Sequence, residues 1–113
     1  MSAEFSITVR PFSMGTDKEA ALKPLEEAAE VFGAWQNVDA CACDEVGLDT
    51  EGCPRCSYET FIGGCENMQY LADEIADVIQ AACNLAQRYD IDLQSAIERC
   101  EERNRKRGRY DRD

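Results

Sequence analysis

The sequence contains no histidine, so the charged side-chain ligands open to a metal site are thiolates and carboxylates. No apolar stretch approaches the roughly 18 residues that a membrane-spanning helix needs. The opening MSAEFSITVR lacks the basic start and apolar run of a secretory signal. The expectation is a soluble, cytoplasmic protein with no membrane partner. Basic residues are also scarce, 12 Lys and Arg against 23 Asp and Glu for a net charge of -11. Phosphate backbones attract basic surfaces, so nucleic acid is not expected as the main partner. No internal repeat or low-complexity segment breaks the chain, and 113 residues suffice for one modest core but not for two. A single domain spanning 1–113 is expected.

The shortage of basic residues is uneven. From Arg99 to Asp113 there are 7 basic and 4 acidic residues, leaving 5 basic and 19 acidic in the other 98. A basic tail on an acidic body suits an anionic ligand that the acids reach only through cations, the alternative being a solvated tail. Cysteine is plentiful, 7 residues. An odd count with no export signal favours reduced thiols or a metal over disulfides.

Residues 1–15 form an N-terminal arm. FSITVRPFS alternates only weakly and is broken by Pro11, so it reads as a short extended segment. Thr16 and Glu19 have the spacing of a capping box, and a helical pattern follows through EAALKPLEEAAEVFGAWQNV, where Pro24 is expected to kink or restart the helix. Periodicity then disappears over 39–64, a long inserted loop containing CACDEVGLDTEGCPRC. Such a loop is uncommon in a compact domain unless it is functional, disordered or held by something such as a metal. ENMQYLADEIADVIQAACNLAQRY is the strongest helix, with Leu71, Ile75, Val78, Ala82, Leu85 and Tyr89 forming an apolar stripe expected to be core. Asp90 and Asp92 are cap candidates for a last helix, LQSAIERCEERNRKR, which Gly108 ends. The class is therefore all-α. Cys83 and Cys100 are expected as small core residues.

Glu27 and Glu30 are three residues apart and share one face of the first helix. On the other side lie Leu22, Leu25, Ala29 and Phe32. Glu74 and Asp77 repeat the spacing on the strongest helix, and Asn84 lies on the same side seven residues beyond Asp77. If the helices pack face to face, four carboxylates converge. Like charges about 5 Å apart repel by roughly 3 kcal/mol at an effective dielectric near 20, so the group needs raised pKa values or cations. Hard oxygen ligands favour Mg²⁺ or Mn²⁺. A solvated acidic face is the plainer alternative.

KPLEEAAEVFGAW, LADEIADVIQAACNLA and IDLQSAIERCEERNRKRGRY together resemble the MazG-like nucleoside triphosphate pyrophosphohydrolases, an all-α group that also includes dimeric dUTPases. The likeness covers roughly residues 18 to 110 apart from the cysteine loop. The family's paired motif, Glu-x-x-Glu then Glu-x-x-Asp, falls on Glu27, Glu30, Glu74 and Asp77.

What the resemblance implies is a helical bundle completed by oligomerisation, as a homodimer or dimer of dimers. It also implies hydrolysis of a nucleoside triphosphate to its monophosphate and pyrophosphate, with Mg²⁺ or Mn²⁺ held by the four carboxylates and Glu30 chosen as general base. Lys23, Asn84, Asn104 and Arg107, with Arg103 less surely, are implied as substrate contacts. Trp35 and Tyr70 either stack on a base or belong to the core.

The departure from the family is the interval between the two halves of the motif, which the cysteine loop fills. Cys53-Pro-Arg-Cys56 has zinc-knuckle spacing, whereas Cys41-Ala-Cys43 is tighter than usual. These four thiolates form a candidate Zn²⁺ site, with free thiols as the alternative. Two further functions stay open: a zinc-stabilised interaction module, and a non-catalytic nucleotide-binding protein on the same helices.

Overall fold

The computed structural model describes residues 4–40 and 66–111. Among the described residues there are three α-helices, α1 (Asp17–Ala40), α2 (Glu66–Arg88) and α3 (Leu93–Lys106), with a 3-10 turn at Arg109–Asp111. Among the described residues there is no strand, so the all-α expectation holds at that level. Cys41, Cys43, Cys53 and Cys56, and with them the candidate Zn²⁺ site, lie outside the described residues. The helix runs through Asp39 and Ala40, two residues into the expected loop.

Local chemistry accounts for the helix ends. The Thr16 hydroxyl accepts from the Glu19 amide at 3.1 Å while the Glu19 carboxylate accepts from the Thr16 amide at 2.9 Å, a reciprocal capping box. Hydrogen bonding from Thr16 holds the Glu19 carboxyl below its usual value. Pro24 neither ends nor restarts α1, which is continuous over 24 residues. The missing amide hydrogen costs one intrahelical bond, and the capping box and packing against α2 outweigh that single loss.

At the end of α2 the Ile91 amide donates to the Ala86 carbonyl at 2.9 Å and the Asp90 amide to the Gln87 carbonyl at 3.2 Å. Asp90 takes a left-handed φ of 55°. This is a Schellman closure with an aspartate where glycine is usual. Of the two cap candidates for α3, Asp92 serves, accepting from the Ser95 amide at 3.1 Å and the Ser95 hydroxyl at 2.7 Å. Gly108, at φ 72°, follows the C-terminus as expected.

α1 and α2 pack along each other as an antiparallel hairpin. Asn67 at the start of α2 donates to the Asn37 carbonyl near the end of α1, and Arg88 at the end of α2 pairs with Asp17 at the start of α1. That register sets Glu27 opposite Glu74 and Asp77. α3 does not pack along either helix and meets the 3-10 turn instead.

The face that α2 turns inward differs from expectation. Its covered positions are Ala81, Asn84 and Ala86, while Ile75 and Tyr89 on the apolar stripe are 45% and 55% exposed. α1 likewise buries Ala20 and Glu27 and leaves Leu25 and Phe32 open. Among the described residues the stripe is therefore only partly covered, Leu71, Val78 and Leu85 being half-buried, and the side chains most fully enclosed on α2 are small or polar. Among the described residues the buried apolar set consists of alanines and no large side chain is fully buried. Trp35 and Tyr70 also fall outside a core. Trp35 stacks on Phe32 with ring centroids 5.7 Å apart, and the Tyr70 hydroxyl donates to Glu66 at 2.9 Å. Cys83 and Cys100 are half-buried free thiols.

Candidate functional site

On α2, positions 74, 77, 81, 84 and 88 recur by three and four and carry Glu, Asp, Ala, Asn and Arg. This stripe faces α1. Small alanines at Ala20 and Ala81, both buried, let the helices approach closely enough for side chains beside them to meet. The result is a cluster of Glu27, Glu74 and Asp77, each offering a carboxylate oxygen, with all three oxygens within 4.8 Å of one another. Glu27 is 9% exposed, Glu74 is half-buried and Asp77 is exposed, so the cluster is anchored inside the hairpin and opens to solvent at one side.

The chemistry of that donor set fits a hard divalent cation. Oxygens on opposite sides of one Mg²⁺ stand roughly 4.2 Å apart and on opposite sides of one Ca²⁺ roughly 4.6–5.2 Å. A spread of 4.8 Å therefore encloses one ion after a small side-chain adjustment. One Glu74 oxygen, Oε2, is buried without a hydrogen-bond partner. An ionised oxygen out of water without a donor is costly, and a cation supplies what the donors do not.

Glu30 stands apart from the three-oxygen group and interacts through Glu27. Its contact with Glu27, reinforced by the Glu27 charge, by burial and by the Glu74 charge, pushes the Glu30 carboxyl above its usual value. The same contact, together with the Lys23 ammonium, holds Glu27 below its usual value. The two neighbouring carboxyls are thus pushed in opposite directions, Glu30 up and Glu27 down. Lys23 lies 3.2 Å from the Glu27 carboxylate and 3.5 Å from Glu26.

Asn84 is buried, 5% exposed, but it is already engaged. Its Oδ1 accepts from the Phe12 amide at 2.9 Å and from the Gln80 side-chain amide at 2.9 Å, and Gln80 also donates to the Arg10 carbonyl at 3.0 Å. Arg88 donates to the carbonyls of Met14 and Gly15 as well as to Asp17. Gln80, Asn84 and Arg88, four residues apart in sequence, thus fasten the N-terminal arm along α2. A cavity of about 420 Å³ lies between Pro11–Met14 and Asn84, Gln87 and Arg88. Gln80 and Arg88 were not anticipated. The i, i+4, i+8 series of Gln80, Asn84 and Arg88 on one face was the available signal.

Lys23 is at the cluster, but the contacts expected from the last helix are not drawn to it by helix packing. α3 does not lie along the hairpin. Asn104 is half-buried and turned to Cys100 Sγ, and Arg107 has no carboxylate partner among the described residues. Arg103 is likewise exposed. One step around the helices from the carboxylates, Ala28, Val31, Ile75, Val78 and Ile79 line an apolar groove of about 260 Å³. Among the described residues no helix is long and apolar enough to cross a membrane. No protein-family model matches the chain, and no curated protein or solved structure is significantly similar to it.

Proposed function

We propose that the protein is a divalent-metal-dependent nucleoside triphosphate pyrophosphohydrolase of the MazG-like kind, releasing a nucleoside monophosphate and pyrophosphate. The observation that carries the proposal is the meeting of Glu27 with Glu74 and Asp77 across two antiparallel helices, with a buried Glu74 oxygen left without a donor. Glu27, Glu74 and Asp77 hold Mg²⁺ or Mn²⁺. The ion supplies charge neutralisation for the triphosphate and an acidified water at neutral pH.

Glu30 is assigned as general base. It is the one motif carboxylate outside the three-oxygen group, and its proton affinity is raised by Glu27. A carboxylate with a raised pKa is better matched to taking a proton near neutral pH than an unperturbed one. Asn84 keeps its donor nitrogen for a substrate acceptor, because its oxygen is committed to Phe12 and Gln80.

Oligomerisation belongs to the same proposal. Among the described residues the only fully enclosed apolar side chains are alanines, which is little apolar burial to set against conformational entropy. The open groove and the exposed Leu25, Phe32 and Trp35 are surfaces for a second copy in a homodimer or dimer of dimers. In such an assembly α3 has a place to pack, and Asn104 and Arg107 can approach phosphates there.

The decisive experiment is a screen of common and damaged nucleoside triphosphates with Mg²⁺, scored by pyrophosphate release and repeated with Glu27→Gln and Asp77→Asn. Activity confined to the wild type is the expected result. Full activity in either variant sinks the assignment, and nucleotide binding without release by the wild type points to the non-catalytic alternative.

A further inference from the structure

The proposed site already contains a cation of its own. Lys23 sits one turn before Glu27 on α1 and makes two contacts, 3.2 Å to Glu27 and 3.5 Å to Glu26. The pair contributes little to the helix itself, since a Lys placed four residues before a Glu is the weaker orientation of an i, i+4 pair. Its placement matters for another reason. Glu27 is the most buried of the cluster carboxylates and is the one the ammonium reaches, whereas the orphaned Glu74 oxygen has no such partner. A divalent ion bridging Glu27, Glu74 and Asp77 needs an oxygen of the carboxylate that Lys23 already engages. An ammonium and a divalent cation on one carboxylate also repel each other. Glu26 is mostly exposed and stands one position earlier, offering the ammonium a second resting place on the solvent side.

We propose that Lys23 is a resident counter-cation of the carboxylate cluster. It competes with the divalent ion for Glu27 and, once displaced toward Glu26, is free to meet the phosphates of the incoming nucleotide. The inference rests on the metal-site proposal above and adds to it a positioning residue with two roles of opposite sign. Lys23 weakens binding of the bare ion and strengthens binding of the ion with its nucleotide. The site is thereby biased against taking up metal without substrate. An ammonium is suited to the task, being a compact point charge on a flexible stem that can change partners.

The test is Mn²⁺ binding to the full chain without nucleotide, followed by titration with a non-hydrolysable nucleoside triphosphate analogue. The comparison includes wild type, Lys23→Met, Lys23→Arg and the control Lys18→Met, which removes the same charge from the same helix. Lys23→Met should bind Mn²⁺ alone about fivefold more tightly, the scale of losing one solvent-screened ion pair. It should bind the analogue more weakly in the presence of Mn²⁺. Lys23→Arg should return both values toward wild type, and Lys18→Met should change neither.

Equal Mn²⁺ affinity in wild type and Lys23→Met overturns the inference while leaving the metal site standing, and so does an equal gain in Lys18→Met. Absence of Mn²⁺ binding by the wild type overturns the metal site and this inference with it. If Lys23→Met fails to fold, Lys23→Gln serves in its place.

Discussion

Replacing Glu74 by Gln should invert the order of stability between two buffers. Glu74 shares a 4.8 Å sphere of carboxylate oxygens with Glu27 and Asp77, and its Oε2 is buried without a donor. Unit charges at that separation repel by about 0.9 kcal/mol in bulk water and about 3.5 kcal/mol at an effective dielectric near 20. Glu74 is half-buried and Asp77 exposed, which places the cluster between those limits. Glutamine keeps the shape, removes the charge and offers an amide donor in place of the orphaned acceptor. In EDTA the variant should therefore be more stable than wild type by about 1–2 kcal/mol. With Mg²⁺ at a hundredfold excess over its dissociation constant, the wild type gains about 2.7 kcal/mol by linkage. The variant, having lost a ligand, gains far less and falls below the wild type. Urea denaturation at one fixed protein concentration, in EDTA and in Mg²⁺, measures both differences. A variant less stable than wild type in EDTA would refute the repulsive cluster. Equal stabilisation of both proteins by Mg²⁺ would place the ion elsewhere.

The opposed shifts of Glu27 and Glu30 have a signature in pH. A raised Glu30 contributes stability that is complete below the ordinary value of 4.5 and is lost as pH rises through its folded value, whereas the lowered Glu27 contributes stability above 4.5 that is lost as pH falls through its own. Glu30→Gln should abolish the decline above pH 4.5 in EDTA, and parallel urea midpoints for variant and wild type across that range would exclude a raised Glu30. Arg88→Ala should cost about 2 kcal/mol and release the arm, seen as faster hydrogen exchange of the Phe12 amide that Asn84 accepts; unchanged protection would show that the latch lies elsewhere. If the proposed dimer forms through the apolar groove, Ile75→Asp, which puts a charge into it, should shift the sedimenting mass from that of a dimer to that of a monomer; a wild type that already sediments as a monomer would overturn the assembly, and a variant still dimeric would move it to another surface. Asp90→Gly, at φ 55°, should raise stability by about 0.5 kcal/mol, read from the urea midpoint, because glycine takes the left-handed region without strain.

What the sequence made legible was local. The Thr16–Glu19 box, the Asp92 cap and the Gly108 stop each depend on residues within four positions, and each is present with ordinary hydrogen-bond lengths or backbone angles. Spacing also placed Glu27 with Glu30 and Glu74 with Asp77 on shared faces. That these faces meet across the hairpin is visible only in the register, which Asn37 with Asn67 and Asp17 with Arg88 define. Periodicity tells which residues of a helix share a side but not which side a neighbour covers. For that reason the pattern points to the Leu71 to Tyr89 stripe as core, whereas among the described residues Ala81 and Asn84 are enclosed and Ile75 and Tyr89 are not. The arm was the least legible element. Residues 4–14 have no period to read, and the groups that fasten them, Gln80, Asn84 and Arg88, lie about 70 residues away.

The inward turn of the polar stripe and the exposure of the apolar one have a common cause. Carboxylates from two helices can converge on one point only if nothing large stands between the helices, and Ala20 and Ala81 meet that condition. A hairpin closed in this way has spent its internal surface on charge. Glu27 sits where a leucine would otherwise bury apolar area, and each such position adds desolvation cost in place of hydrophobic stabilisation. The apolar residues are then forced to the outer faces, where Leu25, Phe32, Trp35 and Ile75 are found. Cations at the centre of the proposed enzyme would offset the charge, and a second copy on the outside would restore the missing apolar burial. In the proposed enzyme the metal site and the assembly are therefore two requirements of one packing decision. A variant that fills the hairpin, such as Glu27→Leu, should gain a monomeric core as it loses the metal.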